Sequence, residues 1–109
     1  MFEFKIDKEK LMYVFKRHSP IVKIGSFEDY VKVVASDNLK FYDDTYDMIA
    51  DTKTDRYNIE CKFELFAINH YTFQVEAHFI IHKGVKNSIN NIVYEFRTID
   101  ILADYVYNK

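Results

Sequence analysis

Tryptophan is absent from this 109-residue chain, which carries only two glycines, one proline and one cysteine. With Gly25 and Gly84 alone, neither a P-loop nor a GxGxxG turn nor a GxSxG elbow can be assembled, because each needs several glycines at fixed spacing. Cys61 has no second cysteine to pair with, so no disulfide is expected and nothing points to an oxidising compartment. Long apolar runs are lacking, which excludes a membrane-spanning helix. The Met-Phe-Glu-Phe-Lys start lacks a basic segment followed by an apolar stretch, so a cytoplasmic location is expected. A basic stripe is missing too: net charge is −2, which argues against direct nucleic-acid binding.

What is abundant is aromatic: nine Tyr and ten Phe, in a chain rich in strand formers and poor in loops. Low hydrophobicity and few aromatics define disorder, and this chain shows the reverse. Its length suits one domain, residues 1–109. Frequent Tyr, Asn, Lys, Asp and Ile suggest an AT-rich source genome, such as a low-GC bacterium, its phage or a plasmid. Acidity concentrates in residues 28–64, with ten acidic and five basic groups.

Alternation is the strongest pattern. Tyr57-Ile59-Cys61-Phe63-Leu65-Ala67 and Tyr71-Phe73-Val75-Ala77-Phe79-Ile81 both hold period 2 between mostly polar residues, which predicts two long half-buried strands over about 57–67 and 71–82. A three-residue loop, Ile68-Asn69-His70, would pair Phe63 with Val75, Cys61 with Ala77 and Ile59 with Phe79, keeping one face apolar. The same register sets Glu60 opposite His78 and Lys62 opposite Glu76. Ile92, Tyr94, Phe96 and Thr98 predict a third long strand over about 91–99. Phe66, Ile68 and Ile80 on the nominally polar face imply that a helix or partner covers part of it, including a homodimer through the sheet.

Helical spacing occurs upstream. Asp7 reads as an N-cap before Leu11, Val14, Phe15 and His18, and Ser26 with Asp29 reads as a capping-box variant before Phe27, Tyr30, Val31 and Val34. Leu39 and Phe41 predict a short strand. Asp43 or Asp44 reads as the cap of a third short helix holding Tyr46, Ile49 and Ala50. The end of the chain is ambiguous, since Ile101, Leu102, Tyr105 and Val106 suit a helix while Ile101, Ala103, Tyr105 and Tyr107 alternate. The expected class is α+β, with N-terminal helices on a curved antiparallel sheet.

Metal and catalytic motifs fail on inspection. Asp43, Asp44, Asp47, Asp51 and Asp55 imitate a calcium loop, but the sixth position would be Met48 and the twelfth Thr54, in place of glycine and glutamate. The histidines, His18, His70, His78 and His82, make no zinc spacing with Cys61. No cofactor and no catalytic residue is expected. Glu60, Glu76 and His78 are the only clustered titratable groups for an enzyme reading.

The passage Val33-Val34-Ala35-Ser36-Asp37-Asn38-Leu39-Lys40-Phe41-Tyr42-Asp43-Asp44 and the segment Phe96 to Tyr107 resemble the helix-to-first-strand passage and terminal strands of the NTF2-like, or SnoaL-like, α+β cone family. That resemblance implies a pocket between helices and sheet, and so a small-molecule-binding domain or enzyme. The residues themselves favour a different class: a non-catalytic binding or inhibitor module, phage or mobile-element encoded. Its surface would be Tyr42, Asp43, Asp44, Tyr46, Asp47 and Asp51, set against a protein with a basic surface such as a nucleic-acid-acting enzyme.

Overall fold

The computed structural model describes residues 2–17, 20–67, 73–86, 89–98 and 103–107. Among these described residues eight strands and two helices follow in the order β1 (Phe2–Ile6), α1 (Lys8–Lys16), β2 (Pro20–Gly25), α2 (Phe27–Val34), β3 (Asn38–Phe41), β4 (Met48–Asp51), β5 (Arg56–Ala67), β6 (Phe73–Lys83), β7 (Ile92–Thr98) and β8 (Ala103–Tyr107). A 3-10 turn, Ile89–Asn91, leads into β7. Six strands form one antiparallel sheet in the order β2-β7-β6-β5-β4-β3, and β1 pairs with β8 in a separate antiparallel ribbon. The chain is therefore α+β with an antiparallel sheet, as its patterning implies. No helix among the described residues is long and apolar enough to cross a membrane.

Helix α1 starts where its cap dictates: the Asp7 carboxylate accepts the backbone N–H groups of Glu9 at 2.8 Å and Lys10 at 3.4 Å, satisfying two donors the helix leaves orphaned. Leu11, Val14 and Phe15 are buried, and His18 lies outside the described residues. Ser26 occupies the N-cap position of α2, but its hydroxyl makes no cap bond, and Asp29 is drawn instead to the Tyr57 hydroxyl at 2.8 Å. The buried stripe of α2 is also rotated from expectation. Tyr30 and Val33 are buried, whereas Phe27 and Val31 stand half exposed. Gly25 makes the tight entry to this helix at φ +100°, and any Cβ there would collide with the Val93 carbonyl oxygen.

The third helix expected around Tyr46, Ile49 and Ala50 does not form. Residues 43–47 are a turn and Met48–Asp51 is strand β4, with Met48 and Ala50 fully buried. The segment is too short for helical spacing to decide its structure, and pairing with β3 and β5 makes it a strand in which Met48 and Ala50 share one face and Ile49 takes the other. Within the ambiguous C-terminal segment, Ala103–Tyr107 is strand β8, and Ile101 and Leu102 lie outside the described residues.

Strands β5 and β6 pair with their apolar parity intact but shifted by two residues from the expected register. Phe63 faces Ala77, Cys61 faces Phe79, Leu65 faces Val75 and Glu60 faces Ile80. The expected loop, Ile68-Asn69-His70, lies outside the described residues. A shift of two keeps every side chain on its face, so alternation alone cannot choose between the registers.

Both helices lie on the sheet face that carries Tyr57, Ile59, Ala77, Phe79, Ile81, Tyr94 and Phe96, all buried with Phe15, Tyr30 and Val33 in one cluster. Aromatic geometry organises that cluster. The Phe79 ring centroid stands 5.1 Å from that of Phe15 and 5.0 Å from that of Phe96, and Tyr30 meets Phe96 edge-on at 5.5 Å. The Tyr30 hydroxyl donates to the Phe15 carbonyl oxygen at 2.8 Å, and burial, aided by neighbouring Tyr94, pushes its pKa up to about 12.

Candidate functional site

On the opposite side of the sheet the polar residues of β5 and β6 are not simply wet. Asn58 and His82 are buried among them, as is Ile80. Asn58 receives the Tyr42 hydroxyl proton at 2.8 Å on its Oδ1 and donates its amide to the Gly84 carbonyl. One side chain thus ties the β3–β4 turn and the 84–86 segment to the sheet. Between these two walls opens a cleft of about 620 Å³ lined by Tyr42, Asp43, Asp44, Thr45, Asp47, Arg56, Asn58, Ile59, Val85 and Lys86.

Asp47 closes the inner end of the cleft. Its Oδ1 accepts the backbone N–H of Cys61 at 3.0 Å, and its Oδ2 accepts from Lys86 Nζ at 2.6 Å. Strand β4 pairs with β5 only as far as Ile59, so the carboxylate takes over a donor that β4 leaves without a strand partner. The hydrogen bond to Asp47 holds the Lys86 ammonium above the usual lysine range, against the opposing effect of burial. At the outer end, the carboxylates of Asp43 and Asp44 are exposed, and among the described residues no cation reaches either. Lys8 approaches only the Asp43 carbonyl oxygen, at 3.2 Å, with its ammonium 5.5 Å from the Phe41 ring centroid.

Of the six surface residues expected from the sequence, Tyr42, Asp43, Asp44 and Asp47 converge on the cleft. Tyr46 and Asp51 do not line it. Tyr46 turns onto Phe63 edge-on at 5.3 Å, and its hydroxyl donates to the Ile6 carbonyl oxygen at 3.2 Å. Asp51 is held by Arg56 through two bonds of 2.6 and 3.1 Å, and that hydrogen bond keeps its carboxyl below the usual range. Lys86, Asn58 and Arg56 escaped the sequence reading, because nothing in their spacing announces that strand pairing gathers them from three segments.

The pairing of Glu60 with His78 is replaced by two others. His78 Nε2 lies 3.4 Å from Glu95 Oε2 on β7, and Glu60 Oε1 lies 3.0 Å from His82 Nε2, diagonally across the hairpin. Lys62 faces His78, and Glu76 faces Glu64. The other ring nitrogen of His82, Nδ1, stands 3.0 Å from Asn91 Oδ1, while the Asn91 amide donates to the Val85 carbonyl. A neutral imidazole carries one N–H and satisfies only one of these acceptors; the doubly protonated ring satisfies both. Burial raises the Glu60 carboxyl pKa, but the His82 hydrogen bond and the charges of Lys62 and Lys86 together outweigh it and hold the group below the usual range.

A lowered folded pKa means that Glu60 stabilises the fold fully above the ordinary glutamate range, and that this contribution disappears as pH falls through the folded value. Glu60→Gln should therefore cost about 1 kcal/mol at neutral pH, the worth of a charge-assisted hydrogen bond partly retained by the amide. Urea titrations of both proteins from neutral to acid pH should show the gap closing below the ordinary glutamate range. A gap of constant size would separate Glu60 from the acid response.

Among the described residues, no group of three or more His, Cys, Asp and Glu could hold a metal ion. The Cys61 thiol is pushed well up by burial, with the Asp47 charge adding to the effect, which suppresses the nucleophilic thiolate. Compared with protein-family models, with curated proteins and with solved structures, the chain matches none.

Proposed function

We propose that the chain is a non-catalytic protein-binding or inhibitor module of phage or mobile-element type, and that the outer lip of the cleft meets a basic partner surface. The observation that supports this reading most is the placement of Asp43 and Asp44, two exposed carboxylates beside the half-exposed Tyr42, on a turn anchored through Asn58, Asp47 and Lys8. A loop fixed in advance loses little entropy on binding, and unpaired carboxylates steer a cationic partner. The groups suited to acid–base chemistry are occupied internally: His82 by Glu60 and Asn91, Asp47 by Lys86 and a backbone N–H. A partner with the basic surface of a nucleic-acid-acting enzyme fits this chemistry.

The size of the cleft supports a second reading, an NTF2-like small-molecule-binding domain, since ligand pockets commonly span roughly 300–1,000 Å³. Its lining includes no residue of α1 or α2, whereas the pocket implied by that resemblance lies between helices and sheet.

Reversing Asp43 and Asp44 together to Lys tests the first reading, because both are exposed and neither carboxylate holds another element. Capture from lysate of the source or its host should recover a basic protein with the native chain and lose it with the double variant. Binding should also weaken steeply with added salt. Equal recovery by both baits, or a defined small ligand co-purifying with no protein partner, would overturn the inhibitor reading.

A further inference from the structure

Strand β2 is one edge of the six-stranded sheet, and its margin is apolar. Ile21, Val22 and Ile24 are each about half exposed, and Phe27 and Val31, one helical turn apart on adjoining α2, are half exposed as well. The register explains part of this concentration. Pro20 faces Thr98 and Lys23 faces Phe96, so Ile21 and Val22 together oppose Arg97 alone, a bulge. Val22 and Ile24 border a shallow hollow of about 310 Å³ with His78, Glu95 and Arg97. The polar groups of the hollow have partners within the chain, His78 Nε2 beside Glu95 and Arg97 beside Glu64 at 3.6 Å.

Edge strands are commonly protected by a lysine that projects along the edge. Here the only charged residue of β2, Lys23, is folded back with its ammonium 4.9 Å from the Phe27 ring centroid. Among the described residues, the backbone of Ile21–Ile24 pairs with β7 and with no other segment. Pro20 blunts only the first position of the strand.

We infer that this edge is a homodimer interface, in which β2 of a second copy pairs antiparallel with β2 and joins the two sheets. A second copy is the occupant that fits best, because the margin is apolar apart from Lys23, whose ammonium is turned onto Phe27, and a free strand edge is complemented by its own antiparallel copy. A two-fold axis at Val22, near the middle of the strand, sets that side chain against its own equivalent. The extent suits a modest, concentration-dependent dimer: a six-residue edge ~20 Å long, flanked by five half-exposed apolar side chains, is smaller than the standard interface of on the order of 800 Å² per copy.

Sedimentation velocity on the full chain over ~1–200 µM, the range in which modest interfaces are half occupied, should show the dimer growing with concentration. Val22→Lys and Ile24→Lys should each weaken it at least about tenfold, since each desolvates an unpaired ammonium at the joint. Circular dichroism would establish that these variants fold. As a check that needs no destabilising charge, Val22→Cys should form a disulfide-linked dimer on mild oxidation, because Cys61 has a suppressed thiolate and lies away from the edge. A wild-type chain that stays monomeric across the whole range, a dimer that survives both lysines in folded protein, or a dimer that Val22→Cys fails to trap would overturn the inference.

Discussion

Phe79→Ala is expected to cost about 3–5 kcal/mol, the usual range for emptying a phenylalanine site in a packed core. Phe79 is fully buried on β6, wedged between Phe15 of α1 and Phe96 of β7, and opposite Cys61 of β5. Truncation therefore opens a cavity where helix and sheet layers meet, and no single neighbour can fill it without pulling another ring out of contact. A domain of this size has roughly 5–15 kcal/mol in total, so the variant should melt many degrees earlier. Its urea dependence should keep the native slope. A loss below about 1 kcal/mol would mean that α1 does not pack on this face. Phe63→Ala should cost clearly less, because Phe63 is only partly buried and faces Ala77.

The second large effect is expected at Asp47, whose reversal to Lys should cost about 2–3 kcal/mol, unlike reversal of Asp43 and Asp44. Removing the carboxylate leaves the Cys61 N–H without its acceptor, and an orphaned part-buried donor costs about 1–3 kcal/mol. The new ammonium would also face Lys86, whose present partner is Asp47. Asp47→Asn separates the two contributions, because its amide oxygen can still accept from Cys61 while the ion pair is lost. The ion pair is partly exposed and is worth little by itself, so Asp47→Asn should lie within about 1 kcal/mol of wild type. Amide hydrogen exchange at Cys61 supplies the local readout: protection should survive in Asp47→Asn and fall in Asp47→Lys.

These contrasts mark how far the residues speak for themselves. The alternation of Tyr57 through Ala67 assigns each side chain to a face, and the burial of Tyr57, Ile59, Ala77, Phe79 and Ile81 follows it. Parity does not set which residues sit opposite one another, so the observed partners of Phe63 and Glu60 each lie two residues from those the alternation suggests. In α2, Phe27 and Val31 fit a buried stripe by spacing, yet Tyr30 is the residue tied to the Phe15 carbonyl, and that contact rotates the helix. The acidic turn was visible as composition. Its division into exposed carboxylates, Asp43 and Asp44, and structural ones, Asp47 and Asp51, depends on Lys86 and Arg56, which only the folded sheet brings near.

Strand order also carries a kinetic consequence. From β3 to β7 each strand pairs with its immediate successor, so this part of the sheet can zip up through local hairpins. Strand β2 instead waits for β7, with Gly25 meeting Tyr94, and β1 waits for β8. Closing such long loops early carries the larger entropic cost, and topologies of this kind fold slowly. On the ribosome, α1 and α2 emerge with their apolar faces exposed long before Phe79 and Phe96 exist to receive them. The aromatic core is thus assembled only after most of the chain has been made, and until then Leu11, Phe15 and Tyr30 are the surface that a chaperone would meet first.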